Sequence, residues 1–130
     1  MYTIKNLLLI DDSEATNNFH YRLLGKIKFA ENISICTNGQ EGLDYLSKIE
    51  QCPDLIFLDL NMPVVDGFEF LSQVQTPLEK IGSKKPLIIV LTSSEESVDK
   101  ARCKSLYNHI EFYSKPLTMA QISQLKSSLE

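Results

Sequence analysis

The sequence has no tryptophan, no long apolar run and no densely basic stretch. The first absence removes the usual intrinsic fluorescence probe. The longest strongly apolar runs, Leu7–Ile10 and Leu87–Leu91, fall far short of the about 20 residues a membrane-spanning helix needs. The opening Met1-Tyr2-Thr3-Ile4-Lys5-Asn6 lacks the layout of a secretory signal, so the expected location is the cytoplasm, with no membrane partner. Cys36, Cys52 and Cys103 are the only cysteines, and they are scattered with no C-x-x-C pair. That excludes a disulfide framework and leaves reduced, partly buried thiols. At a net charge of −4 without basic clusters, a nucleic-acid footprint is excluded. The acidic residues form no block, so there is no acidic tail either. Neither G-x-G-x-x-G nor G-x-x-x-x-G-K-[ST] occurs, which argues against a nucleotide-binding domain.

What is present is an ordinary globular composition, 43% apolar and 23% charged over 130 residues, suited to one domain with one sizeable core. Short apolar runs alternate with segments of helical period. The strands expected are Leu7–Ile10, Ile33–Cys36, Leu55–Leu58, Leu87–Leu91 and Ile110–Tyr113. Between them, Ser13 is placed to cap a first helix with Ala15, Phe19 and Leu23 on one face. Leu43, Leu46 and Ile49 trace a second helix, and Pro53 follows it. Phe68, Leu71 and Val74 trace a third, starting near Gly67. Pro77, Gly82 and Pro86 make Thr76–Pro86 read as a long loop. The fourth helix, Glu95–Leu106, is weakly amphipathic, with Val98, Ala101 and Leu106 at usable spacing. The last is capped by Thr118 and turns Ile122, Leu125 and Leu129 inward. Five β–α units with near-continuous apolar strands predict a parallel sheet covered on both faces, an α/β three-layer sandwich.

In open parallel sheets, ligands sit outside the carboxyl ends of the strands. Strand one runs into Asp11-Asp12, strand three into Asp59, strand four into Thr92-Ser93 and strand five into Ser114-Lys115-Pro116. Singly, each residue reads as a cap, a turn or a solvated charge. Together they bring carboxylates, a hydroxyl and an ammonium to one edge. Clustered carboxylates repel one another, and a fold that keeps them together points to a bound cation. The ligands are hard oxygens, which select Mg²⁺ or Mn²⁺. Such an ion accepts phosphate oxygens as further ligands, so phosphoryl chemistry follows: positioning and charge neutralisation matter more there than a base. Asp59 is the natural nucleophile. Lys115 supplies a second positive charge and Thr92 a hydroxyl hydrogen bond.

The run Asp59-Leu60-Asn61-Met62-Pro63-Val64-Val65-Asp66-Gly67, the Asp11-Asp12 pair, Thr92 and Lys115-Pro116 resemble the signature of receiver domains of two-component response regulators. The likeness covers essentially the whole chain and is of the single-domain, chemotaxis-regulator type. It implies a flavodoxin-like fold with strand order 2-1-3-4-5. It implies that Asp59 accepts a phosphoryl group from a histidine kinase or histidine phosphotransfer protein, that Asp11, Asp12, Asp59 and the Asn61 backbone carbonyl hold the metal, and that Thr92 and Lys115 contact the phosphoryl oxygens. Pro63, Gly67 and Pro116 become structural positions, with a cis peptide bond before Pro116. Thr92 and Phe112 become the switch pair, and a downstream protein target is expected on the helix 4–strand 5–helix 5 face. The chain reads as one receiver domain over residues 1–130 without an output domain. Leu106–Ile110 departs from the Gly-Ala common in the family before strand five.

Two other readings compete. A haloacid-dehalogenase-like phosphohydrolase also uses an aspartyl nucleophile, but needs a second Asp two positions on, where this chain has Asn61. A receiver-like interaction module that is never phosphorylated usually lacks part of the acidic set or the lysine, and none of these is missing. The expectation is therefore a phospho-acceptor and not an enzyme.

Overall fold

Strand centres in this chain are apolar on both sides, so they must lie inside a sheet with both faces covered. The computed structural model, which describes residues 2–60, 62, 64–82, 84–92 and 100–129, shows how. The order is β1 (Ile4–Ile10), α1 (Glu14–Lys26), β2 (Ala30–Cys36), α2 (Gly39–Lys48), β3 (Leu55–Asp59), α3 (Gly67–Gln73), α4 (Gln75–Ile81), β4 (Leu87–Thr92), α5 (Lys100–Leu106), β5 (Ile110–Ser114) and α6 (Met119–Leu129). All strand pairings are parallel, and the sheet order is β2-β1-β3-β4-β5, the flavodoxin-like arrangement.

Period-two alternation divides the core. Leu8, Ile10, Ile56, Leu58, Ile88 and Val90 point to one face, where they meet Leu43, Leu46, Phe70, Leu71, Leu78 and Cys103 from α2 to α5. Leu7, Leu9, Leu55, Phe57, Ile89 and Leu91 point to the other, against Leu24, Ile122 and Leu125 of α1 and α6. Each fully buried side chain of this size contributes about 1.5–3 kcal/mol. Every residue of β3 is buried, so the acceptor candidate Asp59 ends the most enclosed strand.

Four sequence expectations are corrected. First, α1 leaves Ala15 and Phe19 exposed and packs Leu23 only half-buried against the core. Its inner residues are Asn17, His20 and Leu24, while Phe19 is 48% exposed. Ser13 caps it as expected, accepting a hydrogen bond from the Thr16 amide at 3.2 Å. Second, the segment read as a loop from Thr76 to Pro86 holds α4. Pro77 is its third residue, where a missing N–H would have had no helical partner anyway. Third, in α5 Ala101 is exposed and Cys103 is the buried residue, while Leu106 packs half-buried against the core as expected; Tyr107 just beyond is buried with its hydroxyl donating to the Pro86 carbonyl. Fourth, Leu129 is 36% exposed, while Ile122 and Leu125 are buried. Residues 93–99, which include Val98 and the expected start of the fourth helix, lie outside the described residues.

Gly67 opens α3 at a close backbone approach. Its amide donates to the Leu60 carbonyl at 3.0 Å, and a methyl group there would stand 2.6 Å from the Leu60 Cα. Only glycine fits without moving the strand end that carries Asp59. Among the described residues, no helix is long and apolar enough to cross a membrane.

Candidate functional site

The carboxyl ends of β1, β3, β4 and β5 converge as the topology requires. Asp11 and Asp12 follow β1, Asp59 closes β3, Thr92 closes β4, and Lys115 follows β5. In the ladder, Asp59 is aligned with Leu91 and Thr92 with Ser114. The Lys115 amide donates to the Thr92 carbonyl at 2.7 Å, which ties the lysine to the end of β4. The Lys115–Pro116 peptide bond is cis.

Asp11, Asp12 and Asp59 each offer a carboxylate oxygen, and these atoms lie within 4.8 Å of one another. Asp11 and Asp59 are 4% and 8% exposed, whereas Asp12 is exposed. The Lys115 ammonium sits among them, its Nζ 2.6 Å from Asp11 Oδ2 and 3.5 Å from Asp59 Oδ1. Three carboxylates against one ammonium leave the cluster net negative. An all-oxygen donor set of this charge and spacing fits a small hard divalent cation.

Asp11 is held on every side. Its amide donates to the Cys36 carbonyl at 3.1 Å. Its Oδ1 accepts from the Ser13 amide at 2.9 Å, and its carbonyl accepts from Asn17 Nδ2 at 2.8 Å. Across the β3–α3 turn, Asp66 caps α3 by accepting from the Glu69 amide at 2.9 Å. Val64 in that turn is 75% exposed with φ of 72°, a left-handed conformation unusual for a β-branched residue. Asn61 and Pro63 lie outside the described residues. Phe112 is half-buried on β5, and the Lys100 ammonium lies 5.5 Å from its ring centroid.

The sequence reading missed the polar residues beneath the site. Asn17 and His20 are 2% and 1% exposed, and Asn17 Oδ1 and His20 Nε2 have no hydrogen-bond partner among the described residues. Their spacing with Leu24, i, i+3, i+7, is a helix face, but a search for apolar periodicity passes over it. Burial pushes the His20 imidazole below its ordinary value of 6.5, opposed by the Asp11 carboxylate and aided by the Lys115 ammonium. Because the folded pKa lies below the unfolded one, the unfolded chain binds more protons once the pH drops under 6.5. Stability therefore falls as pH falls from about 6.5 towards the folded-state pKa. In urea titrations at pH 7.5 and 5.5, the wild type should lose more stability than His20→Leu. Equal losses would assign the pH dependence to other groups.

Comparison with known proteins agrees with this architecture. The family model described as response regulator receiver domain matches residues 7–126. The chain is 34% identical over 93 residues to hybrid signal transduction histidine kinase E of Dictyostelium discoideum, covering 72% of this chain and 5% of that protein. It is 32% identical over 123 residues to the probable methanogenesis regulatory protein FilR2 of Methanothrix harundinacea, covering 91% and 76%. The chain thus spans only a small fraction of the hybrid kinase it matches. Among solved structures, the receiver domain of the histidine kinase CKI1 from Arabidopsis thaliana, complexed with Mg²⁺, superposes with a TM-score of 0.78 at 21% identity, covering 97% of this chain and 92% of that one.

Proposed function

The chain belongs to the response regulator receiver domain family, and from that premise we propose that it is a phosphorylation-controlled signalling module whose acceptor is Asp59. The observation that carries the reading is the placement of Asp11, Asp12, Asp59 and Lys115 at one sheet edge. An Asp59 carboxylate oxygen attacks the phosphorus of a phosphohistidine on a histidine kinase or phosphotransfer protein. The P–N bond breaks, its electron pair stays on the imidazole nitrogen, and an acyl phosphate forms on Asp59. Asp11, Asp12, Asp59 and the Asn61 backbone carbonyl are the groups that would hold Mg²⁺. Bound there, the ion neutralises charge on the phosphoryl oxygens. Lys115 supplies the second positive charge, within a short side-chain movement of the acceptor, and the Thr92 hydroxyl donates to a phosphoryl oxygen.

Signalling then runs through docking on other proteins. Thr92 draws toward the phosphoryl group, Phe112 turns inward, and the face of α5, β5 and α6 changes its fit for a downstream target. Phe112 is half-buried, packed against the core on one side with the Lys100 ammonium over its ring, which puts it between a buried and an exposed position. In amide NMR spectra, phosphorylation should shift resonances of α5 and β5 more than those of α2. Shifts confined to the acceptor loops would remove the switch from the proposal. The setting is the cytoplasm, and the protein turns over no substrate of its own.

The direct test is incubation with acetyl phosphate or phosphoramidate, with and without Mg²⁺, followed by intact mass and peptide mapping. One phosphoryl adduct on Asp59 that requires Mg²⁺ is expected. The absence of any adduct from both small donors and from a phosphorylated histidine phosphotransfer protein would overturn the reading.

A further inference from the structure

We propose that Asn17 is a positioning residue that sets the Asp11–Asp12 peptide, and with it the two loop carboxylates, in the orientation that takes up a divalent cation. This rests on the reading of Asp11 and Asp12 as ligands. Asn17 lies four residues into α1, buried, with its Nδ2 donating to the Asp11 carbonyl at 2.8 Å. That carbonyl and the Asp12 N–H belong to one planar peptide unit. Fixing the carbonyl therefore fixes the peptide plane and the position of the Asp12 Cα, from which its side chain departs.

The two aspartates depend on this unequally. Asp11 has further restraints: Ser13 on Oδ1, Lys115 on Oδ2, and the Cys36 carbonyl on its amide. The Asp12 carboxylate has no hydrogen bond among the described residues and is exposed. Its direction comes from the backbone, which is the part Asn17 holds. A fold-stabilising role explains Asn17 poorly. Asparagine is a weak helix former, and its Oδ1 is buried without a partner, an unfavourable arrangement for a residue retained only to hold the helix. Its one good contact leads to the carboxylate pair.

The test compares Asn17→Leu, which fills the space and favours the helix, with Asn17→Ala. His20→Leu is the control, on the same buried face without a hydrogen bond to the Asp11–Asp12 peptide. Two quantities are read at pH 7.5: the Mg²⁺ dissociation constant by titration calorimetry, and urea unfolding without metal. Both Asn17 variants should bind Mg²⁺ at least about tenfold more weakly, as loss of a supporting contact typically does. Asn17→Leu should unfold at no lower urea concentration than the wild type, and His20→Leu should keep wild-type affinity. If either folded Asn17 variant binds Mg²⁺ within about twofold of the wild type, the role assigned to Asn17 is wrong; equal weakening in His20→Leu would make it a general packing effect and overturn it too. If Asn17→Leu does not fold, Asn17→Ala answers the same question. A wild-type protein that takes up no Mg²⁺ at all would instead overturn the functional reading, and this inference with it.

Discussion

Asp59→Asn should form no phosphoryl adduct and, with Mg²⁺ absent, should be harder to unfold than the wild type. The two effects share a cause. Asparagine keeps the shape of the side chain but has no anionic oxygen to attack phosphorus. It also removes one of three negative charges whose oxygens lie within 4.8 Å. At an effective dielectric of about 20, each such pair repels by roughly 3 kcal/mol. The attraction between Lys115 and Asp59 at 3.5 Å is lost as well. Asp12 is exposed and screened by solvent, so the relieved repulsion between the buried Asp11 and Asp59 carboxylates sets the expected sign, a gain in metal-free stability. Mg²⁺ affinity should fall by about tenfold or more, because a ligand and its charge are gone. Urea unfolding with and without Mg²⁺, beside intact mass after acetyl phosphate, reads all three. A variant less stable than the wild type in the absence of metal would show that the carboxylates are not in mutual conflict.

Lys115→Met should shift metal-free stability and Mg²⁺ affinity in the sense opposite to Asp59→Asn. The ammonium, 2.6 Å from Asp11 Oδ2, occupies charge that a divalent cation would otherwise satisfy. Without it, two largely buried carboxylates lose their nearest counter-charge, and metal-free stability should drop by about 1–3 kcal/mol. The site becomes more negative, so Mg²⁺ should bind several-fold more tightly and restore much of the lost stability by mass action. The phosphoryl adduct should nonetheless be slow to form, because the charge that meets the phosphoryl oxygens is missing. Calorimetric titration and thermal unfolding across a Mg²⁺ series check these outcomes. Weaker Mg²⁺ binding in Lys115→Met would mean that the lysine orders the site rather than competing for it.

The parts of the fold legible in the sequence are those where one physical signal dominates. The runs Leu55–Leu58 and Leu87–Leu91 are apolar without alternation, and both became buried central strands. The residues after the strands carried the site, because the sheet topology alone brings Asp11, Asp12, Asp59, Thr92 and Lys115 together. Signals failed where polar groups took structural positions. The α1 face was misread because Asn17 and His20 point inward while Phe19 faces out; apolar period cannot find a face built from amides and imidazoles. Helix α4 was missed because proline reads as a breaker, although at the third helical position it leaves no needed hydrogen bond unmade. The cation–π contact of Phe112 with Lys100 depends on rotamer choices that residue identity does not encode.

The ladder alignment also has a practical meaning for samples of this protein. Asp59 stands opposite Leu91, and Thr92 opposite Ser114, so the acceptor edge exists only when neighbouring strands are in step. A slip of one residue would carry a side chain about 3.3 Å along its strand and turn it to the opposite face, separating Thr92 and Lys115 from Asp59. On the proposed function, the fraction of molecules that take up phosphate would therefore be a titre of correctly threaded protein. A purification batch can be graded by its chemistry where circular dichroism, which counts strands without regard to their alignment, would pass every molecule alike.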